Sequence, residues 1–126
     1  MARVAIINTN DDVVDMLRIA LEHEGIDAVP AHVIDFKRGK ADFDEFVARH
    51  NPKVIVYDVA PPYRENWEFF QVLASSEAGK NRRWVLTTTN KKLVSQAAGQ
   101  EVDAYEISEK PYDVNAIIQS VKRELS

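Results

Sequence analysis

The sequence predicts an α/β fold, a doubly wound five-stranded parallel sheet with five helices. Short apolar runs alternate five times with segments whose apolar residues recur every three or four positions, as strands alternate with amphipathic helices. Residues 54–57 are apolar throughout, which is typical of a strand covered on both faces. Because parallel strands are joined by right-handed crossovers, this alternation places helices on both sides of one sheet.

Each predicted element follows from a local pattern. The strands are the five short apolar runs, at residues 4–7, 27–32, 54–57, 84–86 and 104–107. The helices carry one apolar stripe each, namely Val14, Leu17 and Leu21; Phe43, Phe46 and Val47; Trp67, Phe70 and Leu73; Leu93, Val94 and Ala97; and Val114, Ile117, Ile118, Val121 and Leu125.

Capping residues mark the helix ends. Asn10, Asp11 and Asp12 offer side-chain oxygens to the first turn of a helix that runs to about residue 24, and Gly25 ends it. Asp113 stands at the start of the last helix. These residues support the assigned boundaries.

The stretch between the first and third strands departs from regular periodicity. Pro30 interrupts the second strand and, since proline cannot donate to a ladder, indicates an edge position. Residues 33–40 fit neither the helical nor the strand period, and we predict a loop there.

Composition limits the function classes. A chain of 126 residues with 45% hydrophobic and 29% charged residues is predicted to form one domain, 1–126. A net charge of -4 argues against a nucleic-acid or anionic-membrane surface, and the absence of cysteine excludes disulfides and thiol chemistry. No run is long enough to span a membrane, and the sequence enters a strand directly, so we expect a cytoplasmic protein. His23, His32 and His50 lack ligand spacing, and we predict no catalytic or metal role for them.

Polar residues follow the predicted carboxyl ends of four strands. They are Asn8, Thr9 and Asn10 after the first strand, Asp58 after the third, Thr87 after the fourth and Lys110 after the fifth. Ligand sites in doubly wound sheets lie beyond these ends, where the strand order reverses. We therefore expect a carboxylate, a hydroxyl and an ammonium group to converge there.

In this arrangement the chain resembles the receiver domain of two-component response regulators over nearly its whole length. The matching features are the five-fold alternation, Asp58 after Val-Ile-Val-Tyr, and Pro62 four residues beyond Asp58. Thr87 follows Trp-Val-Leu, and the pair Lys110-Pro111 precedes the last helix. Together these features are fairly specific, although none is so alone.

The resemblance implies a role for each of three residues. Asp58 matches the aspartate that accepts a phosphoryl group from a histidine kinase or a phosphotransfer protein. Thr87 matches the hydroxyl residue that hydrogen-bonds the phosphoryl group, and Lys110 matches the lysine that pairs with its charge. The implied function is a signalling domain of a phosphorelay.

The resemblance also implies a Mg²⁺ site at Asp58, Ala60 and the positions of two acids directly after the first strand. Those two positions are Asn8 and Thr9, and neither residue is acidic. With Asp58 opposed by Lys110, the pocket has a net charge near zero, whereas Mg²⁺ prefers anionic oxygens and gives up its water reluctantly. We therefore expect weak Mg²⁺ affinity and no other cofactor.

A second departure lies at Ile107, where the family commonly has an aromatic switch residue. Tyr105 faces the same side of the strand by alternation. The span from Gly25 to Asp58 is also longer than in the family, which we assign to the loop around residues 36–40.

The expected partners are proteins. The phosphodonor would be a histidine kinase or phosphotransfer protein. A downstream protein would bind the face formed by the helix after the fourth strand, the fifth strand and the last helix. Beyond self-phosphorylation of Asp58 we expect no enzymatic activity.

Alternative interpretations stay open. The missing acids favour a pseudo-receiver, which has the receiver fold and binds proteins without phosphorylation. A flavodoxin-type binder of small molecules would use residues 8–11 as a phosphate nest, although the expected glycines are missing there. Residues 8–10, and Thr88 and Thr89 before a helix, are also typical of turns and caps, and Asp58 is typical of a turn.

Overall fold

The computed structural model describes residues 2–107 and 114–126. The elements within these ranges are β1 Arg3–Asn8, α1 Asp11–His23, β2 Asp27–His32, α2 Val33–Lys37, α3 Phe43–His50, β3 Val54–Val59, α4 Tyr63–Ser75, β4 Arg83–Thr88, α5 Lys91–Ala98, β5 Ala104–Glu106 and α6 Asn115–Leu125. None of these helices combines the length and apolar character that a membrane span requires.

The five strands form one parallel sheet in the order β2-β1-β3-β4-β5. This confirms the predicted doubly wound sheet, and β2 lies at an edge as Pro30 indicated. From β1 the chain passes to β2 on one side and then to β3 on the other, so the strand order reverses between β1 and β3. The crevice beyond their carboxyl ends, next to Asn8 and Asp58, is where a ligand is expected in such a sheet.

Residues 33–37 form the short helix α2, so the prediction of a loop over residues 33–40 was wrong for residues 33–37 and is confirmed for residues 38–40, which form a turn. The structure therefore has six helices in its described ranges, where the sequence predicted five. Burial of Val33 and Phe36, three positions apart, holds α2 against the core. Its N-cap residue, His32, makes no side-chain capping bond, so neither a cap nor a long stripe marks this helix in the sequence.

β3 and β4 continue beyond the apolar runs that predicted them. β3 includes Asp58 and ends at Val59, and β4 includes Thr87 and Thr88. These residues keep the ladder register, because Asp58 pairs with Thr87 and Val59 with Thr88. The predicted strands 54–57 and 84–86 therefore end two residues too early, whereas the prediction that Asp58 and Thr87 lie at the carboxyl ends of their strands is confirmed.

The ends of α1 agree with the predicted caps. Asn10 Oδ1 accepts hydrogen bonds from the backbone amides of Asp12 and Val13 at 2.9 and 3.3 Å. Gly25 follows the helix with φ of 77°, a conformation that favours glycine. Asp113, predicted at the start of the last helix, lies outside the described residues.

The cap of α5 differs from the prediction. Asn90 Oδ1 accepts from the amide of Leu93 at 3.0 Å, so Asn90 is the N-cap, and the prediction of Thr88 or Thr89 was wrong. Thr88 is part of β4, and its hydroxyl donates to the carbonyl oxygen of Val59 at 2.8 Å. Strand pairing thus determines where Thr88 bonds.

The sheet buries a different kind of core on each face. On the face covered by α1 and α6 the buried side chains are aliphatic, including Val4, Ile6, Leu17, Val56, Ile117 and Val121. On the face covered by α2, α3, α4 and α5 the core is rich in aromatic residues. Two layers of helices therefore enclose the central strands.

An aromatic cluster fills the second face. Its rings, with contacting centroids 5.2 to 6.0 Å apart, are Phe36, Phe43, Phe46, Tyr57, Trp67, Phe70 and Trp84. The indole N–H of Trp84 donates to the carbonyl oxygen of Gly79 at 3.0 Å. The hydroxyl of Tyr57 is buried with no hydrogen-bond partner in the described ranges, and burial raises the pKa of Tyr57 well above its usual range.

Tyr57→Phe should stabilise the protein. The substitution removes a buried hydroxyl that has no partner among the described residues and keeps the ring in the aromatic cluster. We expect the free energy of unfolding to rise by about 1 kcal/mol in urea titrations. Tyr63→Phe is the matched control, because it removes a hydroxyl that bonds Thr89 Oγ1 at 2.8 Å and should give no gain. A less stable Tyr57→Phe protein would show that the hydroxyl has a partner.

Candidate functional site

A hydrogen bond joins the carboxylate of Asp58 to the hydroxyl of Thr87. Thr87 Oγ1 donates to Asp58 Oδ1 at 2.7 Å, and the two residues are register partners on β3 and β4. Asp58 is 8% exposed and Thr87 is fully buried. The strands thus place a carboxylate and a hydroxyl in contact next to the point where the strand order of the sheet reverses.

Burial changes the acidity of Asp58. Loss of hydration raises the pKa of Asp58 to about 6, while the hydrogen bond from Thr87 acts in the opposite direction. The described residues form no ion pair with Asp58 within 4.0 Å. The charged carboxylate, which is the nucleophilic form, is therefore present at neutral pH at a cost in folding free energy.

Asn8 and Asn10 use their carbonyl oxygens to hold the β1–α1 turn. Asn8 is 3% exposed, and its Oδ1 accepts from the amides of Thr9 and Asn10 at 2.7 and 2.9 Å. The side chain of Asn10 caps α1. Both asparagines therefore serve as turn and cap residues.

Asn66 of α4 and Lys37 of α2 form a connected pair beside Asp58. Asn66 is 7% exposed, and its Nδ2 donates to the carbonyl oxygen of Ala60 at 2.7 Å. Lys37 Nζ donates to Asn66 Oδ1 at 2.7 Å. The two bonds tie α2 to the loop that follows Asp58.

Two cavities adjoin Asp58. The first, of about 360 Å³, is lined by Thr9, Val33, Ile34, Lys37, Asp58, Ala60, Pro61, Pro62 and Asn66, and is called the Lys37 cavity. The second, of about 180 Å³, is lined by Asn8, Thr9, Asn10, Val13, Asp58, Ala60, Pro61, Thr89 and Ile107. Asp58 lines both cavities and is the only acid among the described residues that lines either of them. Three further residues line both cavities, namely Thr9, Ala60 and Pro61.

The described residues offer Mg²⁺ a weaker ligand set than the resemblance implies. Asn8 Oδ1, the Ala60 carbonyl oxygen and Asp58 Oδ1 each already accept a hydrogen bond from the protein. Over residues 2–107 and 114–126, no three His, Cys, Asp or Glu side chains form a group that could hold a metal ion. Mg²⁺ favours several hard, anionic oxygens, and this donor set contains one carboxylate.

The remaining predicted residues lie as follows. Ile107 follows β5, is 7% exposed and lines the second cavity with Asp58. Tyr105 is half-buried, packs on the same face as Ile107 and pairs with Thr87 on the neighbouring strand. Lys110 and Pro111 lie outside the described residues. His32 bonds the carboxylate of Asp11 at 2.6 Å on the surface.

The sequence did not predict a role for Lys37 or Asn66. Lys37 lies in the stretch predicted as a loop, and Asn66 lies between Glu65 and Trp67 of α4. A polar residue directly before Trp67 in a helix that follows the Asp58 loop is a weak signal, since most such residues face solvent. Only the tertiary structure brings the pair to the site.

Solved structures of response regulator and sensor proteins share this fold. A sensor protein from Polaromonas sp. JS666 matches with a TM-score of 0.73 and 22% identity, over 98% of this chain and 95% of that one. A signal receiver domain of a histidine kinase from Clostridium thermocellum matches with a TM-score of 0.71 and 20% identity, over 99% and 98%. Response regulator protein TrrA from Thermotoga maritima, solved with Mg²⁺ and BeF, matches with a TM-score of 0.66 and 18% identity, over 98% and 99%.

These likenesses show that the chain has the receiver fold. No protein-family model and no curated protein matches the sequence. At identities of 22% and below, the shared feature is the fold, and function has to be argued from the site itself.

Proposed function

We propose that the protein is a receiver-like signalling domain in which Asp58 occupies the phosphoacceptor position and which acts through contacts with other proteins. The observation that supports this most directly is the 2.7 Å hydrogen bond from Thr87 to Asp58 at the switch point, beside two cavities. The carboxylate is the nucleophile in phosphoryl acceptance on aspartate, and a neighbouring hydroxyl can hydrogen-bond the phosphoryl group.

The proposed chemistry is an in-line displacement. A carboxylate oxygen of Asp58 attacks phosphorus of a phosphohistidine or a small acyl phosphate. The bond from phosphorus to the donor breaks, and the donor leaves with the electron pair. Thr87 would then turn its hydroxyl to the phosphoryl group, and Lys110, by its sequence match, would pair with the charge. Such self-phosphorylation is the full extent of the enzymatic activity that we propose.

The proposed partners are a kinase or phosphotransfer protein as donor and a downstream protein at the face formed by α5, β5 and α6. Two contacts support coupling of the site to this face. Thr87 pairs with Tyr105 of β5, and the carboxylate of Glu106 accepts from the amide of Lys91 at 2.9 Å. A change at Thr87 would thus reach β5 and the first turn of α5. We place this activity in the cytoplasm.

The test is direct phosphorylation. We expect the protein, incubated with acetyl phosphate over a series of Mg²⁺ concentrations, to gain the mass of one phosphoryl group, and Asp58→Asn to gain none. Asp103→Asn, which changes an exposed acid, should behave as the unchanged protein. Beryllofluoride with NMR detection of the Asp58 region gives a second readout. No adduct at any Mg²⁺ concentration would contradict phosphoacceptance.

A phosphorylation-independent pseudo-receiver is the second candidate. It is favoured by Asn8 and Ala60, whose oxygens already accept hydrogen bonds from the protein at 2.7 to 2.9 Å. In this function the fold would present a protein-binding face without a switch at Asp58. An adduct that depends on Asp58 would exclude it.

A further inference from the structure

We propose that the Lys37 cavity binds a small phosphorylated anion, with Lys37 as the cationic contact that stands in for the charge of a metal ion. This inference rests on the proposed phosphoacceptor role of Asp58 and adds a binding site to it. Its ligand class is a small acyl phosphate or phosphomonoester.

The first support is the position of Lys37. It extends from α2, a helix placed by the burial of Val33 and Phe36, and lines the same cavity as Asp58. Its Nζ lies 6.0 Å from the centroid of the Phe69 ring of α4. The fold therefore directs one ammonium group to the cavity that contains the nucleophile.

The second support is the way in which the ammonium group is held. Lys37 Nζ donates to the neutral amide oxygen of Asn66, and no acid of the described residues lies within 4.0 Å of it. Asn66 is fixed by burial and by its bond to Ala60. Because the partner is neutral, the positive charge is not cancelled, and an ammonium group has three donors, so others stay available to an anion.

The third support is the charge balance of the site. Phosphoryl transfer spreads negative charge over three equatorial oxygens, and a cation must stabilise it. The described donor set, with its single carboxylate, is a weak site for Mg²⁺. Among the described residues, Lys37 lines the first cavity and no other basic side chain lines either of the two. The ammonium group can supply part of the missing charge through charge-assisted hydrogen bonds.

The walls of the cavity are consistent with a small organic phosphate. Val33, Ile34, Pro61 and Pro62 present apolar surface, and Thr9 presents a hydroxyl. A volume of about 360 Å³ exceeds what a phosphoryl group alone fills, and it lies at the lower end of the range for small-molecule sites. The apolar wall would contact the organic part of the donor, while Lys37 contacts the phosphoryl oxygens.

The test is phosphorylation by acetyl phosphate in the presence of EDTA. Lys37→Met removes the charge and keeps the length of the side chain, whereas Lys37→Arg keeps the charge. We expect Lys37→Met to slow adduct formation about tenfold and Lys37→Arg to stay within about threefold of the unchanged protein. Lys40→Met is the matched control, because Lys40 lies in the same segment and lines a different depression. Thermal unfolding of each variant shows whether it is folded.

A binding measurement separates this inference from the proposed function. Inorganic phosphate is titrated while the side-chain amide signals of Asn66 are followed by NMR. Shifts that saturate in the unchanged protein and vanish in Lys37→Met support the anion site, whether or not Asp58 is phosphorylated. An adduct that requires Mg²⁺ and forms equally fast in Lys37→Met would overturn the Lys37 inference and leave the phosphoacceptor role intact. Absence of both adduct and phosphate shifts would overturn both.

Discussion

Asp58→Asn should raise the free energy of unfolding by about 3 kcal/mol at about pH 8 and change it by less than about 1 kcal/mol at about pH 4. The folded-state pKa of Asp58 is raised from 3.8 to about 6, mainly by burial. Folding therefore favours the protonated carboxyl of Asp58, and the contribution of this form to the unfolding free energy is fully present below about pH 4. It is lost as the pH rises through about 6, where the buried group ionises. Asparagine stays neutral and can still accept the hydrogen bond from Thr87.

The measurement is urea unfolding of the two proteins over that pH range. The difference between their unfolding free energies isolates Asp58, because the other titrating groups are common to both. Asp103→Asn should give a difference within about 0.5 kcal/mol at every pH. Equal stability of the unchanged protein and Asp58→Asn at about pH 8 would mean that a nearby charge compensates the carboxylate and that its burial does not destabilise the fold.

Replacement of Asn8 and Thr9 together by aspartate should give a protein whose stability depends on Mg²⁺. The added carboxylate at the buried position 8 and its neighbour at position 9 repel each other and the buried Asp58, so we expect the unfolding free energy without metal to fall by about 2 kcal/mol or more. Three carboxylates are also the ligand type that Mg²⁺ prefers. At a Mg²⁺ concentration tenfold above its Kd, about 1.4 kcal/mol should be regained.

Thermal unfolding across a Mg²⁺ series at constant ionic strength measures this gain. The unchanged protein should show no Mg²⁺-dependent stabilisation. The matched control is Asn81→Asp with Gln100→Glu, which adds two acids at exposed positions that precede β4 and β5. If Mg²⁺ stabilises that control as much as it stabilises the variant with aspartate at positions 8 and 9, the gain is due to general charge screening and not to binding at the site.

Local patterns in the sequence were sufficient for most of the fold. The strands were predicted because their apolar runs are short and separated, and Pro30 indicated the edge because its missing amide can face only outward. Asn10 was predictable as a cap since its side chain bonds amides two and three residues away. The proximity of Asp58 and Thr87 followed from their place on adjacent parallel strands.

Features that depend on distant contacts were not predictable in the same way. α2 forms because Val33 and Phe36 reach a core made by other elements, and a five-residue helix shows too few positions for a period. The bond between Lys37 and Asn66 joins residues 29 positions apart. The sequence left two roles for Asn8, a ligand or a turn residue. In the structure its Oδ1 accepts hydrogen bonds from the backbone amides of residues 9 and 10, which makes it a turn residue.

The one-sided placement of the aromatic cluster has a practical consequence for spectroscopy. The chain contains two tryptophans, Trp67 and Trp84, and both lie in this cluster. Intrinsic fluorescence therefore reports on the side of the sheet covered by α2, α3, α4 and α5. Fraying of α1 or α6 would lower the far-UV circular dichroism while the emission spectrum stays constant. A partner that docks on the α1 and α6 side would need an added fluorophore to be seen, whereas a ligand beside Asn66 has a natural reporter in Trp67.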